Sequence, residues 1–75
     1  MTISSLQERA AVGQLAKEYT GKRLPLQVLR SAAGYYLGTA DDEGPCSRES
    51  VEYWPAEGLA QSALAQGHWT QRDTP

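Results

Sequence analysis

Residues 26–54 read LQVLRSAAGYYLGTADDEGPCSRESVEYW. Three short runs with strand-like composition are separated by Ala-Ala-Gly and by Asp-Asp-Glu-Gly-Pro, both turn-forming stretches. The pattern predicts a three-stranded antiparallel meander with strands over about 26–31, 35–40 and 46–54. Gly34 is the residue in the first turn that takes positive φ cheaply, so that conformation is expected there. In the second strand Tyr35, Leu37 and Thr39 alternate against Tyr36, Gly38 and Ala40, and Leu37 is assigned to the core. Gly38 leaves a gap in the opposite face where a facing aromatic ring or a partner could lie close. In the third strand Ser47, Glu49, Val51 and Tyr53 share one face; Arg48, Ser50, Glu52 and Trp54 share the other.

Working outward, the preceding segment reads as a helix over about 5–20. Ser5 and Glu8 have capping-box spacing, and Val12, Leu15, Ala16 and Tyr19 form an apolar stripe. Gly13 falls inside this helix, at a cost of about 1 kcal/mol relative to Ala. Thr20-Gly21 supplies its stop, and Pro25 turns the connector extended. After the meander, Pro55 suits the first turn of a second helix over about 55–66, ended by Gly67. Leu59, Ala60, Ala63 and Leu64 form its stripe. The predicted core is Leu37, Val51, Leu59 and Leu64. Residues 71–75 are expected to fray. The order helix, three strands, helix defines an α+β domain with its helices covering one sheet face.

Seventy-five residues make room for one domain. A core this small is marginal, so close packing, a dimer partner or a bound target is expected to support it. Cys46 is the single cysteine, which fits a reducing compartment and a cytoplasmic protein. Gln7, Glu8 and Arg9 interrupt what would be the apolar part of a signal peptide. No run approaches the roughly 20 apolar residues of a membrane span. Net charge is −2, but it is polarised. Residues 1–40 carry five cations and two acids; residues 41–57 carry one cation and six acids. The acidic block is either a solubilising face that discourages edge pairing or a docking surface for a basic partner.

The chemistry-bearing residues form no catalytic or metal pattern. His68 lacks a local nucleophile signature. Cys46, at the start of a strand, reads as a small half-buried residue and not as a nucleophile. Asp41, Asp42 and Glu43 are consecutive, so they point apart instead of alternating as calcium ligands do. No cofactor is implied. Tyr35, Tyr36, Tyr53 and Trp54, with Arg30 and Arg48, could form a stacking surface for single-stranded nucleic acid. The acidic strip beside them repels phosphate, however, and a chain with no Phe needs these rings in its core.

Gly34, Tyr35, Tyr36, Gly38, Gly44, Pro45, Ser47, Arg48, Glu49, Ser50 and Trp69 carry a resemblance over about residues 24–72. The stretch resembles a group of small proteins, without an assigned activity, from phages, plasmids and integrated elements of proteobacteria. Short accessory proteins of such elements often block host defence by binding its effectors, as anti-CRISPR proteins do. The resemblance therefore implies a small non-enzymatic inhibitor that docks on a host defence complex such as a CRISPR effector. It would occlude a basic nucleic-acid-binding surface. The residues assigned to partner binding are Tyr36, Asp41, Asp42, Glu43, Arg48 and Glu52, in a monomer or weak homodimer. The alternative is a nucleic-acid-binding accessory factor using Lys22, Arg23, Arg30 and surface tyrosines.

Overall fold

The computed structural model describes residues 12–74. The Ser5–Glu8 capping box lies outside them. The elements follow as α1 (Gln14–Thr20), β1 (Gln27–Ser31), β2 (Gly34–Asp41), β3 (Gly44–Arg48) and α2 (Glu57–Gln66). The three strands form one antiparallel sheet in the order β1-β2-β3. The fold is α+β, a meander flanked by a helix on each side in sequence. Helix α1 packs against β3, and α2 packs against β1 and β2.

The first helix differs from the reading above. Val12 is extended and bridges Pro25, and Gly13 is the N-cap, with φ −70° and ψ 115°. Its amide donates to the Leu24 carbonyl at 2.8 Å. The helix starts at Gln14 because its acceptor comes from elsewhere in the fold. The Glu49 carboxylate accepts the amides of Leu15 at 2.9 Å and Ala16 at 3.0 Å. Those are second- and third-position amides, which a local Ser or Asp cap ordinarily satisfies. Gly13 is required for this approach: a Cβ there would collide with the Thr39 methyl and sit 2.9 Å from Glu49 Oε2. At the other end Gly21 is left-handed, φ 77°, and closes onto the Lys17 carbonyl.

Strand β3 is shorter than expected. Cys46 is an extra residue in it, since Thr39 pairs with Ser47 but Ala40 pairs with Pro45. Beyond Arg48 the ladder breaks. The Leu37 carbonyl accepts both the Glu49 and Ser50 amides, at 2.8 and 3.0 Å, as in a β-bulge. Ser50 Oγ accepts the Leu37 amide at 3.0 Å and donates to the Glu52 carbonyl at 2.9 Å. The chain rejoins the sheet at Trp54, which exchanges two backbone bonds with Tyr35 at 2.8 and 2.7 Å. These bulges end the period-2 alternation, so Val51 is 50% exposed instead of buried.

Among the described residues the core is made by Leu15, Ala16, Leu26, Tyr36, Leu37, Ala60 and Ala63. Leu37 is completely buried, as assigned. Leu59 is 53% exposed and Leu64 only half-buried, so two more of the predicted core positions are corrected. Helix α2 turns Ala60 and Ala63 inward, and these small side chains let it lie close to the sheet. Pro55 lies ahead of this helix, whose N-cap is Ala56. Gly67 ends it with φ 70°, while the His68 amide reaches back to Ala63 at 2.9 Å.

Of the last residues, Gln71 and Arg72 are hydrogen-bonded back to the loop after β3. The Val51 amide donates to Thr70, and the Arg72 amide donates to Glu49, both on the backbone. Gln71 Nε2 donates to Glu49 Oε1 at 2.7 Å. Ser47 Oγ donates to Glu49 Oε2 at 2.6 Å and lies 2.7 Å from Thr39 Oγ1. Glu49 thus ties α1, β3 and the C-terminal segment together at a fully buried position. Burial pushes its carboxyl up. The Leu15 amide, Ser47, Gln71 and the Ala16 amide outweigh that and hold it below the ordinary glutamate value.

Two predictions follow from this core. Because the folded-state value is depressed, the Glu49 contribution to stability is complete above the ordinary glutamate value. It is lost as pH falls through the folded-state value. Glu49→Gln turns an amide donor toward backbone donors, and should lower the denaturation free energy at neutral pH by about 3 kcal/mol. It should also flatten the acid limb of a stability–pH profile. An unchanged acid limb would remove Glu49 from this role. Gly34 has φ 129°, and a Cβ there would sit 2.8 Å from the Trp54 carbonyl oxygen. Gly34→Ala should therefore cost about 2 kcal/mol, read by urea denaturation.

Candidate partner-binding surface

The acidic turn is the tip of the β2–β3 hairpin. Asp41 ends β2, and Gly44 starts β3 with φ 122°, which lets the chain reverse tightly. Asp41 Oδ1 accepts the Glu43 amide at 2.9 Å. Its other oxygen takes the Lys22 ammonium at 2.8 Å. Lys22 and the Glu43 amide hold the Asp41 carboxyl below the ordinary aspartate value, and Asp41 raises Lys22 in return. Asp42 and Glu43 are exposed. Lys22 and the backbone thus occupy Asp41, while its two neighbours are presented to solvent.

Arg48 and Tyr36 form a separate unit with Tyr53. Arg48 lies opposite Gly38 in the ladder. Its guanidinium donates to the carbonyls of Ser50 and Val51, each at 2.9 Å, and to Tyr53 Oη at 2.7 Å. It stacks 4.3 Å from the Tyr53 ring centroid. Tyr36 meets Tyr53 edge-on at 5.8 Å. A Cβ on Gly38 would lie 2.9 Å from Tyr36 Cε2 and collide with the Ser47 carbonyl. The gap expected at Gly38 is therefore filled by Tyr36 of the same strand. Tyr36 is 8% exposed and so does not belong to the accessible surface. Burial raises its phenol above the ordinary tyrosine value. Tyr53 covers it and is the exposed ring of the pair.

Glu52 serves a third purpose. Its carboxylate oxygens accept the Thr70 amide at 3.0 and 3.1 Å. Burial pushes its carboxyl up, and the Thr70 bonds more than offset this, leaving it below the ordinary value. It clamps the segment after α2 against the loop between Arg48 and Trp54.

The six residues assigned to partner binding are therefore divided among three places. Asp41, Asp42 and Glu43 gather at the hairpin tip. Tyr36 and Arg48 belong to the Tyr53 stack. Glu52 holds Thr70. The alternative basic set divides as well: Lys22 is paired with Asp41, Arg23 is exposed, and Arg30 lies 5.7 Å from the Tyr35 ring centroid. Tyr53, considered in the sequence only as part of a nucleic-acid stacking surface and not among the six partner-binding residues, is the exposed ring that Arg48 backs. Its five-residue separation from Arg48 signals a meeting only once the intervening bulge is known.

Among the described residues, no three His, Cys, Asp or Glu side chains converge. No buried side-chain nitrogen or oxygen there lacks a hydrogen-bond partner. No helix among them is long and apolar enough to cross a membrane.

Arg48 satisfies two carbonyls in a loop that has left the sheet ladder. Arg48→Ala should cost about 2 kcal/mol by chemical denaturation. Arg48→Lys should recover less than half of that, because a single ammonium does not reproduce the planar fork. Full recovery by Lys would assign the effect to charge alone. No family model matches the chain, and neither a curated protein nor a solved structure matches it.

Proposed function

We propose that this chain is a small non-enzymatic binding protein that docks on a basic surface of a protein partner through the β2–β3 tip. One observation carries this reading: both oxygens of Asp41 are engaged at the tip while its other two acids stay in solvent. Asp41 is fastened to Lys22 and to the Glu43 amide, which orders the turn. Asp42 and Glu43 are exposed on that ordered support. A preorganised pair of charges loses little conformational entropy on docking. It also steers encounter with a cationic groove within a Debye length of about 8 Å. The exposed Tyr53, backed by Arg48 and Tyr36, adds a rigid aromatic ring elsewhere on the surface.

The resemblance to proteins of phages and other mobile elements supplies the setting. In that setting the partner is a host defence complex, and the chain inhibits it as anti-CRISPR proteins do, by covering a basic nucleic-acid-binding surface. The acidic tip stands in for phosphate charge.

The test is reversal of the two presented acids. Asp42→Lys with Glu43→Lys should change folding stability by no more than about 0.5 kcal/mol, since both lie in an exposed turn. The double variant should slow association with a captured CRISPR effector and remove the salt dependence of binding. It should also relieve inhibition of target-DNA binding by that effector. Unchanged kinetics at low salt would exclude the tip. Direct binding of the parent chain to single-stranded DNA, lost on Arg23→Glu, would favour the nucleic-acid reading instead.

A further inference from the structure

The sheet has two edges, and the chain treats them differently. Beyond β3 the edge is obstructed. Pro45 lacks an amide, Cys46 bulges, and the backbone of Glu49 and Val51 is paired with Arg72 and Thr70. The β1 edge has no such cover among the described residues. Tyr35 turns its amide and carbonyl toward Trp54, and the Leu37 carbonyl faces Glu49 and Ser50. Gly34, Tyr36 and Gly38 therefore face β1, opposite Ser31, Leu29 and Gln27. Val28 and Arg30, between those residues, turn their amides and carbonyls away from the sheet. Among the described residues no hydrogen bond reaches those groups. Gln27, Arg30 and Ser31 are exposed, and Val28 and Leu29 are half-exposed.

The charge along this edge has one sign. Residues 22–40 hold Lys22, Arg23 and Arg30 and no acid. Lys22 is spent on Asp41, which leaves Arg23 before the strand and Arg30 within it. Arg30 contacts the Tyr35 ring and has no carboxylate within ion-pair distance among the described residues. A natural sheet edge open to pairing is usually blunted. Here the charge that β1 itself carries, among the described residues, is Arg30, which an acidic partner would neutralise.

We propose that the β1 edge is a strand-addition site for an extended, acidic segment of another protein. The added strand pairs with the outward backbone groups of Val28 and Arg30. Its carboxylates lie beside Arg30, and its alternate side chains cover the half-exposed Val28 or Leu29. This site is distinct from the acidic tip and stands independently of the reading given for it.

The probe is a capped peptide of about eight residues alternating Val and Glu, with a Val–Lys counterpart as control. Titrated into the full chain and followed by amide NMR, the Val–Glu peptide should shift the Val28 and Arg30 amides first. Val28→Pro removes one outward amide and no bond of the β1–β2 ladder. It should weaken binding by about tenfold, the loss of one backbone hydrogen bond. Arg30→Glu keeps the backbone intact and should reverse the preference toward the Val–Lys peptide, which decides the question even if the proline variant fails to fold. The proposal is overturned by any of four results: no binding, shifts confined to the hairpin tip, affinity unchanged in both variants, or a self-associated chain that the peptide does not dissociate. Strong exchange protection of the Val28 and Arg30 amides in the monomeric, peptide-free chain would also overturn it, because the chain itself would then fill the edge.

Discussion

The fold depends on one buried carboxylate. Glu49 has left the sheet ladder, yet its side chain is wholly inside, where it accepts four hydrogen bonds from three separate parts of the chain. An unpaired carboxylate at such a depth would be strongly disfavoured. Two backbone amides, a hydroxyl and a carboxamide supply what water would otherwise give it. The amides are those of the first turn of α1, so the positive end of that helix points at the negative group. A seven-residue helix has little stability of its own. What places it here is a cap donated from more than thirty residues away. The same carboxylate takes Gln71, which brings the segment after α2 back across the loop. Loss of Glu49 would therefore loosen both ends of the described chain together.

Such a cap explains how a chain with so small an apolar core stays ordered. Among the described residues, three of the seven buried hydrophobic ones are alanines, and each removes little apolar surface from water. Thr39, Ser47, Glu49 and Ser50 are as deeply buried as the leucines. Their bonds interlock, from Thr39 to Ser47 to Glu49 on one branch and from Ser50 to Leu37 and Glu52 on another. A polar network of this kind gives little net stability when complete and costs heavily when broken. It makes the arrangement specific more than it makes it strong.

The legible part of the sequence was the part governed by local chemistry. Ala-Ala-Gly and Asp-Asp-Glu-Gly mark both hairpin turns, and Gly21 and Gly67 mark both helix ends, because positive φ is a property of the residue itself. Alternation in β2 correctly placed Leu37 inside. Alternation failed in β3, where Cys46 and the doubled acceptor at Leu37 each shift the register; past Arg48 parity carries no information about Val51. Helix α2 was found and its stripe included Ala60 and Ala63, but the core positions within it were assigned to Leu59 and Leu64, since leucine outranks alanine in hydrophobicity and only close helix–sheet approach reverses that order. Ser47 and Glu49 were placed on one face with Val51 and Tyr53, but the burial of the Glu49 carboxylate was not read from the sequence. Its partners could not be inferred, because two of them are backbone amides that any residue would offer.

The same division sorts the acidic block. Of its six acids, Glu49 and Glu52 are spent inside the chain, on α1 and Thr70, and Asp41 is spent on Lys22. Asp42 and Glu43 remain in solvent at the tip, and Glu57 is exposed in the first turn of α2. A count of charges along the sequence therefore overstates the field at the surface. Lys22 comes from the connector between α1 and β1 and reaches across to β2, so the tip is braced against the part of the chain that Glu49 holds through α1. A chain of contacts thus joins the hairpin tip to the buried carboxylate: Glu49 caps the helix, the helix leads into the connector, and the connector carries the lysine that pairs with Asp41.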